Sequence, residues 1–302
     1  MIDGGDTKII VDKAIEHLTK IFDDAKVCES HDITHAKAVL RHMTNAIKGA
    51  DPKQLKLKLK EEDDKESDKA GEVLDVSEKG GRMYGCDVVV TRYLSTEEIK
   101  LCLLLAALLH DADDRKFFPK NLNYENLVAI MTKLDLLHLV PLTRLMVDYV
   151  SYSKWGNTEP GATAFNPWML WPRHCDRLEA IGAVGVVRCW QYTITVGRPL
   201  YLDTTPRCKD VKEFFEAIDA REEKGKKYVG SGSDAKSDSM MGHYIDKIGR
   251  TGEIHTSNTY LNSQARQRRE VSQKFYFRFS EADKVEEEWL EEYKVMMAKE
   301  AT

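Results

Sequence analysis

Apolar residues at Ile9, Ile10, Val11, Ala14, Ile15, Leu18 and Ile21–Phe22 recur at helical spacing and predict a helix over Asp6 to Asp23. A second helix starts at Asp32, a suitable N-cap, and runs through Ala36, Val39, Leu40 and Met43 to about Ile47. Ser95-Thr96-Glu97-Glu98 opens a third with a capping-box pattern. Its body, Ile99 to His110, is apolar on nearly every side, which marks a buried helix. Tyr124 to Leu136 and Val140 to Tyr152 read as two more, the latter with Pro141 in its first turn, where a missing N–H costs little. One helix is expected over Asp176 to Tyr192, with Gly182 and Gly185 permitting a close neighbour, and further ones over Lys209–Glu223, Ser239–Ile248 and Ser280–Lys299. No alternating strand pattern is persuasive. The fold class is all-α.

Two stretches break the helical pattern. Of the nineteen residues from Asp51 to Lys69, thirteen are charged, and Gly71, Gly80, Gly81 and Gly85 follow. Either a mobile insertion or a short hairpin around Leu55–Leu59 fits, and the solvated loop is preferred. Gly225 to Ser239, rich in Gly, Ser, Lys and Asp, reads as a flexible connector. The expected organisation is one domain, 1–302, carrying a charged insertion at 51–85 and a connector at 225–239.

Composition narrows the function classes. The 302 residues carry 45 Lys plus Arg against 50 Asp plus Glu, a net charge of −5, which argues against a general nucleic-acid coater. The longest apolar run, Leu101 to Leu109, has nine residues where a bilayer span needs about 20. The acidic start has no apolar signal region. Cys28, Cys86, Cys102, Cys175, Cys189 and Cys208 are scattered without metal-type spacing, so reduced thiols in a cytoplasmic protein are expected. The cluster Arg266, Arg268, Arg269 beside Glu270 reads as a solvated helix face, not an RNA surface. Trp155, Trp168, Trp171 and Trp190 surround the loop before Asp176, either as pocket walls or as core filling.

The candidate chemistry lies in His35, the adjacent pair His110-Asp111, and Asp176. Two imidazoles and two carboxylates suit one octahedral divalent ion, with two positions left for water and a phosphate oxygen. His110-Asp111 emerges where the apolar helix ends. Because neighbours on a helix point about 100° apart, both reach one ion only if it sits at that end.

The segments His31-Asp32-x-x-His35, Ala106-Ala107-Leu108-Leu109-His110-Asp111 and Asp176-Arg177-Leu178-x-Ala180-Ile181-Gly182-Ala183-x-Gly185-x-x-Arg188 resemble the HD-domain metal-dependent phosphohydrolases, nearest the bacterial YpgQ/YedJ-type branch. Asp114-x-Lys116-Phe117, Ser151-x-Ser153-Lys154, Gly197-Arg198-Pro199-Leu200-Tyr201 and His243-Tyr244-x-x-Lys247-Ile248 extend the likeness, which spans roughly Lys13 to Tyr293. One departure is His174, where the family carries an aspartate two residues before the ligand Asp176.

The resemblance implies a helical bundle around a buried ion held by His35, His110, Asp111 and Asp176, with Mn²⁺ foremost and Mg²⁺, Co²⁺ or Fe²⁺ as alternatives. His35 is taken as the first ligand because it opens its helix, and His31 and His42 are set aside. The implied activity is hydrolysis of a nucleotide, foremost a nucleoside triphosphate cut to pyrophosphate and a monophosphate by metal-bound hydroxide. The alternatives are a 5′-nucleotidase-like phosphomonoesterase and a non-catalytic nucleotide-sensing module. Asp114 either orients or deprotonates the water, or caps its helix end and partners Lys116. Lys116, Lys154, Arg198 and Lys247 are candidate phosphate contacts, and Tyr201 either stacks on a base or fills the core. Arg177 and Arg188 are expected to brace the Asp176 helix through ion pairs. Neither a nucleic-acid polymer nor a membrane is an expected partner, and the related branch suggests a homodimer.

Overall fold

The computed structural model describes residues 4–28, 31–60, 81–83, 89–90, 94–223 and 237–300. Its architecture is helical, as the periodicity predicts. The chain divides into two compact units: Met1–Ser151 with Thr158–Cys175, and Tyr152–Asn157 with Asp176–Thr302.

In the first unit, α1 (Gly4–Ala25), α2 (Ile33–Lys48) and α5 (Val140–Val150) pack around α3 (Thr96–Leu108), and α4 (Glu125–Lys133) lies against α1 and α5. Local chemistry explains where these helices begin. Asp32 caps α2 by accepting the N–H groups of Thr34 at 2.8 Å and His35 at 3.2 Å. Ser95 and Glu98 form the expected capping box, with the Ser95 N–H donating to Glu98 Oε2 at 2.9 Å. Leu101, Cys102, Leu103 and Leu105–Leu109 are all buried, so α3 is the unit's central rod. Asp113 accepts the N–H groups of Asn126 and Leu127 at 2.9 and 3.0 Å and so caps α4 from twelve residues upstream of Glu125. The helix predicted from Val140 to Tyr152 ends at Val150 instead, and a separate short turn, α6 (Tyr152–Trp155), follows.

The solvated-loop reading of 51–85 fails at its start. Leu55 and Leu57 are buried, while Lys58 N–H donates to Asn166 Oδ1 at 2.9 Å and Trp168 Nε1–H donates to the Lys56 carbonyl at 3.2 Å. The alternation Leu55-Lys56-Leu57-Lys58 sends leucines inward while polar partners satisfy the extended backbone. A small antiparallel sheet, absent from the predicted elements, continues from it: β1 (Leu59–Lys60), β2 (Gly81–Met83) and β3 (Val89–Val90), with Leu59 opposite Met83 and Gly81 opposite Val90. The expected mobility of most of this insertion and of connector residues 225–236 lies outside the described residues, as does Cys86, while Ser237 and Ser239 at the connector's end are buried.

The long helix predicted over Asp176–Tyr192 is two helices, α7 (Trp171–Glu179) and α8 (Gly182–Thr195). Ile181 is extended and Gly182 has φ +78°, a left-handed conformation only glycine adopts freely. Gly182 donates its N–H to Ser272 Oγ at 2.8 Å instead of back along α7. Gly185 has the close neighbour expected of it: a Cβ there would lie 2.4 Å from the Ala180 carbonyl oxygen.

In the second unit, α12 (Thr259–Ala282) and α13 (Glu288–Glu300) pack on α8, and α9 (Val211–Glu223) lies against a π turn, Tyr244–Ile248, between α10 (Met240–His243) and α11 (Gly249–Thr251). The single helix predicted over Ser280–Lys299 is broken by Asp283, whose φ of +56° ends α12. Arg268, read as part of a solvated face, is buried: it donates to the Leu178 carbonyl at 2.8 Å and pairs with Glu179 at 3.1 Å. Among the described residues no helix is long and apolar enough to cross a membrane.

Candidate metal centre

His35 sits in the first turn of α2, directly behind the Asp32 cap, and is buried. His110 follows the last turn of α3. Its Nδ1 lies 2.9 Å from the Ala107 carbonyl oxygen, which can only accept, so Nδ1 carries the hydrogen and Nε2 presents its lone pair. That arrangement is how metal-ligating histidines are usually held by a backbone carbonyl. The Nε2 atoms of His110 and His35 stand 3.2 Å apart. Asp111 Oδ2 is 3.3 Å from His110 Nε2 and 3.8 Å from His35 Nε2.

Asp176 is carried by α7. Burial by itself would raise the Asp111 carboxyl, but the neighbouring imidazoles, His110 first and then His35, hold it well below the usual carboxylate range. The donor set of two imidazole nitrogens with flanking carboxylates fits a first-row divalent ion.

The other candidates separate by unit. Near the centre, Asp114 is committed to Lys116: Oδ1 accepts the Lys116 backbone N–H at 2.9 Å, and Oδ2 lies 3.4 Å from Lys116 Nζ. The Lys116 partner expected of Asp114 is in place. Lys116 Nζ is also 3.4 Å from Nε2 of His31, a residue that the sequence reading set aside. The spacing His31-x-x-x-His35 across a helix start was the available signal. His42 is buried on α2, and His174 is buried on α7, one turn's fraction before Asp176.

In the second unit, Lys247 lies in the π turn with Nζ 5.1 Å from the Tyr152 ring centre, and the Arg177 guanidinium stands 5.6 Å from that same ring. Lys154 is exposed, with Nζ 5.2 Å from the Trp155 ring centre. Arg198 is half-buried just beyond α8. Tyr201 packs on Phe279 (centroids 5.6 Å apart) and under Arg207, which places it in a structural aromatic cluster. Arg177 donates to the Gly156 carbonyl and Arg188 to the Glu179 carbonyl at 2.9 Å, backbone contacts that brace their helices. Trp168 and Trp171 fill the first unit's core, and Trp190 that of the second, beside Phe275.

No family model matches the chain. In fold it is similar to a structural-genomics crystal structure of a Lactobacillus plantarum protein, with a TM-score of 0.52 at 17% identity, over 93% of this chain and 98% of that one. In sequence it is 34% identical over 185 residues to an uncharacterized protein, L803, of Acanthamoeba polyphaga mimivirus, covering 56% of this chain and 72% of the viral protein. At that identity and coverage, the chain belongs to the family of the mimivirus protein L803.

Proposed function

We propose that the chain is a divalent-metal-dependent phosphohydrolase of the HD superfamily that acts on a nucleotide, foremost by cutting a nucleoside triphosphate to pyrophosphate and a monophosphate. The observation that carries this reading is the approach of the His35 and His110 Nε2 atoms to 3.2 Å, with Asp111 Oδ2 beside both imidazoles. The ordered motifs that resemble HD phosphohydrolases supply the reaction class.

His35, His110, Asp111 and Asp176 would hold the ion, with Mn²⁺ the first candidate. A divalent ion there supplies Lewis acidity, lowering the pKa of a bound water and polarising a phosphoryl oxygen. The protein's own groups do the rest. The Ala107 carbonyl fixes the His110 tautomer so that Nε2 faces the centre. Lys116 offers an ammonium to a phosphoryl oxygen, and electrostatic stabilisation of the charge developing there is the main catalytic resource in phosphoryl transfer. Asp114 holds Lys116. Lys154 and Lys247 remain candidate phosphate contacts, whereas the packing of Tyr201 favours a structural role over base stacking.

A turnover assay with Mn²⁺, Mg²⁺ or Co²⁺ across nucleoside mono-, di- and triphosphates tests the reading. Pyrophosphate from triphosphates is expected. Orthophosphate from monophosphates would move the assignment to a phosphomonoesterase. No product from a metal-loaded protein would sink the enzymatic reading and leave a nucleotide-sensing module. His110→Ala and Asp111→Ala should each abolish turnover.

A further inference from the structure

His31 lies outside the proposed ligand set, yet its ring centre is 6.3 Å from that of His35 and 5.6 Å from that of Phe117. Its two nitrogens face different partners. Nε2 is 3.4 Å from Lys116 Nζ, and Nδ1 is 3.8 Å from Cys28 Sγ. An ammonium can only donate, so Nε2 must be the lone-pair nitrogen and Nδ1 must carry the hydrogen, directed at a sulfur that accepts weakly. One neutral tautomer satisfies both contacts.

The same ammonium lies 3.4 Å from Asp114 Oδ2. Two acceptors, from segments on either side of α2 and α3, therefore converge on the head of a lysine whose side chain is 59% exposed. A lysine so exposed ordinarily samples many rotamers and loses that freedom when it grips a ligand; held in advance, it loses less. His31 directly precedes Asp32, whose side chain caps the helix start that presents His35.

We infer that His31 is a positioning residue, a neutral imidazole that works with Asp114 to hold the Lys116 ammonium beside the His35 face of the centre, ready for an anionic phosphoryl oxygen. The identity of the ligand rests on the phosphohydrolase reading, while the geometry does not. The group is selective for chemistry: it favours a phosphate or pyrophosphate ester over a neutral substrate.

The test is a double-mutant cycle read as pyrophosphate binding to the Mn²⁺-loaded protein by calorimetry, with Mn²⁺ affinity measured alongside. His31→Leu should weaken pyrophosphate binding roughly tenfold, equivalent to about 1.4 kcal/mol, and leave Mn²⁺ affinity within about twofold. His31→Gln, whose side-chain oxygen can accept near the Nε2 position, should recover most of the loss. In a Lys116→Ala background, His31→Leu should cost nothing further. On the metal-free wild type, ¹⁵N shifts should report the Nδ1–H tautomer of His31, a readout that survives any folding defect in the variants. Unchanged binding in His31→Leu, an equal penalty without Lys116, no pyrophosphate binding by the wild type, or an Nε2–H tautomer would each overturn the inference. A protein that shows these dependencies but hydrolyses no nucleotide removes the phosphohydrolase reading and leaves His31 in its role. Hydrolysis that is indifferent to His31 does the reverse.

Discussion

His35 Nε2 and His110 Nε2 stand 3.2 Å apart in a buried site, and the Ala107 carbonyl takes the His110 Nδ1 hydrogen. With a lone pair on the His110 side, the contact needs either a hydrogen on His35 Nε2 or a cation between the rings. A divalent ion that replaces the hydrogen binds only the folded chain. Mn²⁺ at about a hundredfold over its Kd should therefore stabilise the protein by about 2.7 kcal/mol, seen as a raised Tm. His110→Ala should cancel that rise while retaining helical circular dichroism, and an equal rise in the variant would refute the site.

Arg268 and Glu179 form an ion pair at 3.1 Å with both side chains 5% exposed, and Arg268 also donates to the Leu178 carbonyl at 2.8 Å. Removing one partner strands the other charge in the interior, which costs roughly 3–5 kcal/mol. Arg268→Met should lower stability by that order in urea unfolding. A double change, Arg268→Met with Glu179→Met, should recover part of it, because no charge is then left buried.

Gly185→Ala should be destabilising by roughly 1–3 kcal/mol. The new methyl would meet the Ala180 carbonyl oxygen and carbon at 2.4 and 2.5 Å, and both are backbone atoms of the turn that joins α7 to α8. Neither can swing aside as a side chain would. Thermal melts of the variant check this. A shift of α7 to relieve the clash would also displace Asp176, so reduced Mn²⁺ affinity should accompany the lower Tm.

Burial pushes the Cys102 thiol up to about 12, against the hydrogen bond with Thr143 that favours its thiolate. The folded chain thus keeps a proton that the unfolded chain gives up near the ordinary thiol value. The resulting stability is fully present below about pH 9 and declines as pH rises from there toward 12, by up to about 1.4 kcal/mol per pH unit. Cys189, held at about 12 by burial in the second unit, acts in the same direction. Chemical unfolding at pH 8, 9.5 and 10.5 should show the decline, and Cys102→Ala should flatten it. Equal slopes in the variant and the wild type would rule out the thiol as a source.

Helix existence was legible along most of the chain because local rules operate within a few residues. The Asp32 cap, the Ser95–Glu98 box and the apolar run Leu101–Leu109 each state their own geometry, and α2 and α3 follow from them. The ordering of His35, His110-Asp111 and Asp176 on successive helices was readable for the same reason. What adjacency in sequence does not encode is which distant groups complete one another. The break at Ile181–Gly182 depends on Ser272, ninety residues away, taking the Gly182 N–H, and the burial of Leu55 and Leu57 depends on Asn166 and Trp168 satisfying an extended backbone. That the Asp114 carboxylate meets Lys116 Nζ at 3.4 Å is likewise a matter of tertiary approach. The sequence alone determined the helices and the residue types able to ligate a metal. Tertiary packing decided which atoms face each other, because hydrogen bonds and charges act over a few ångströms of space regardless of the chain length between them.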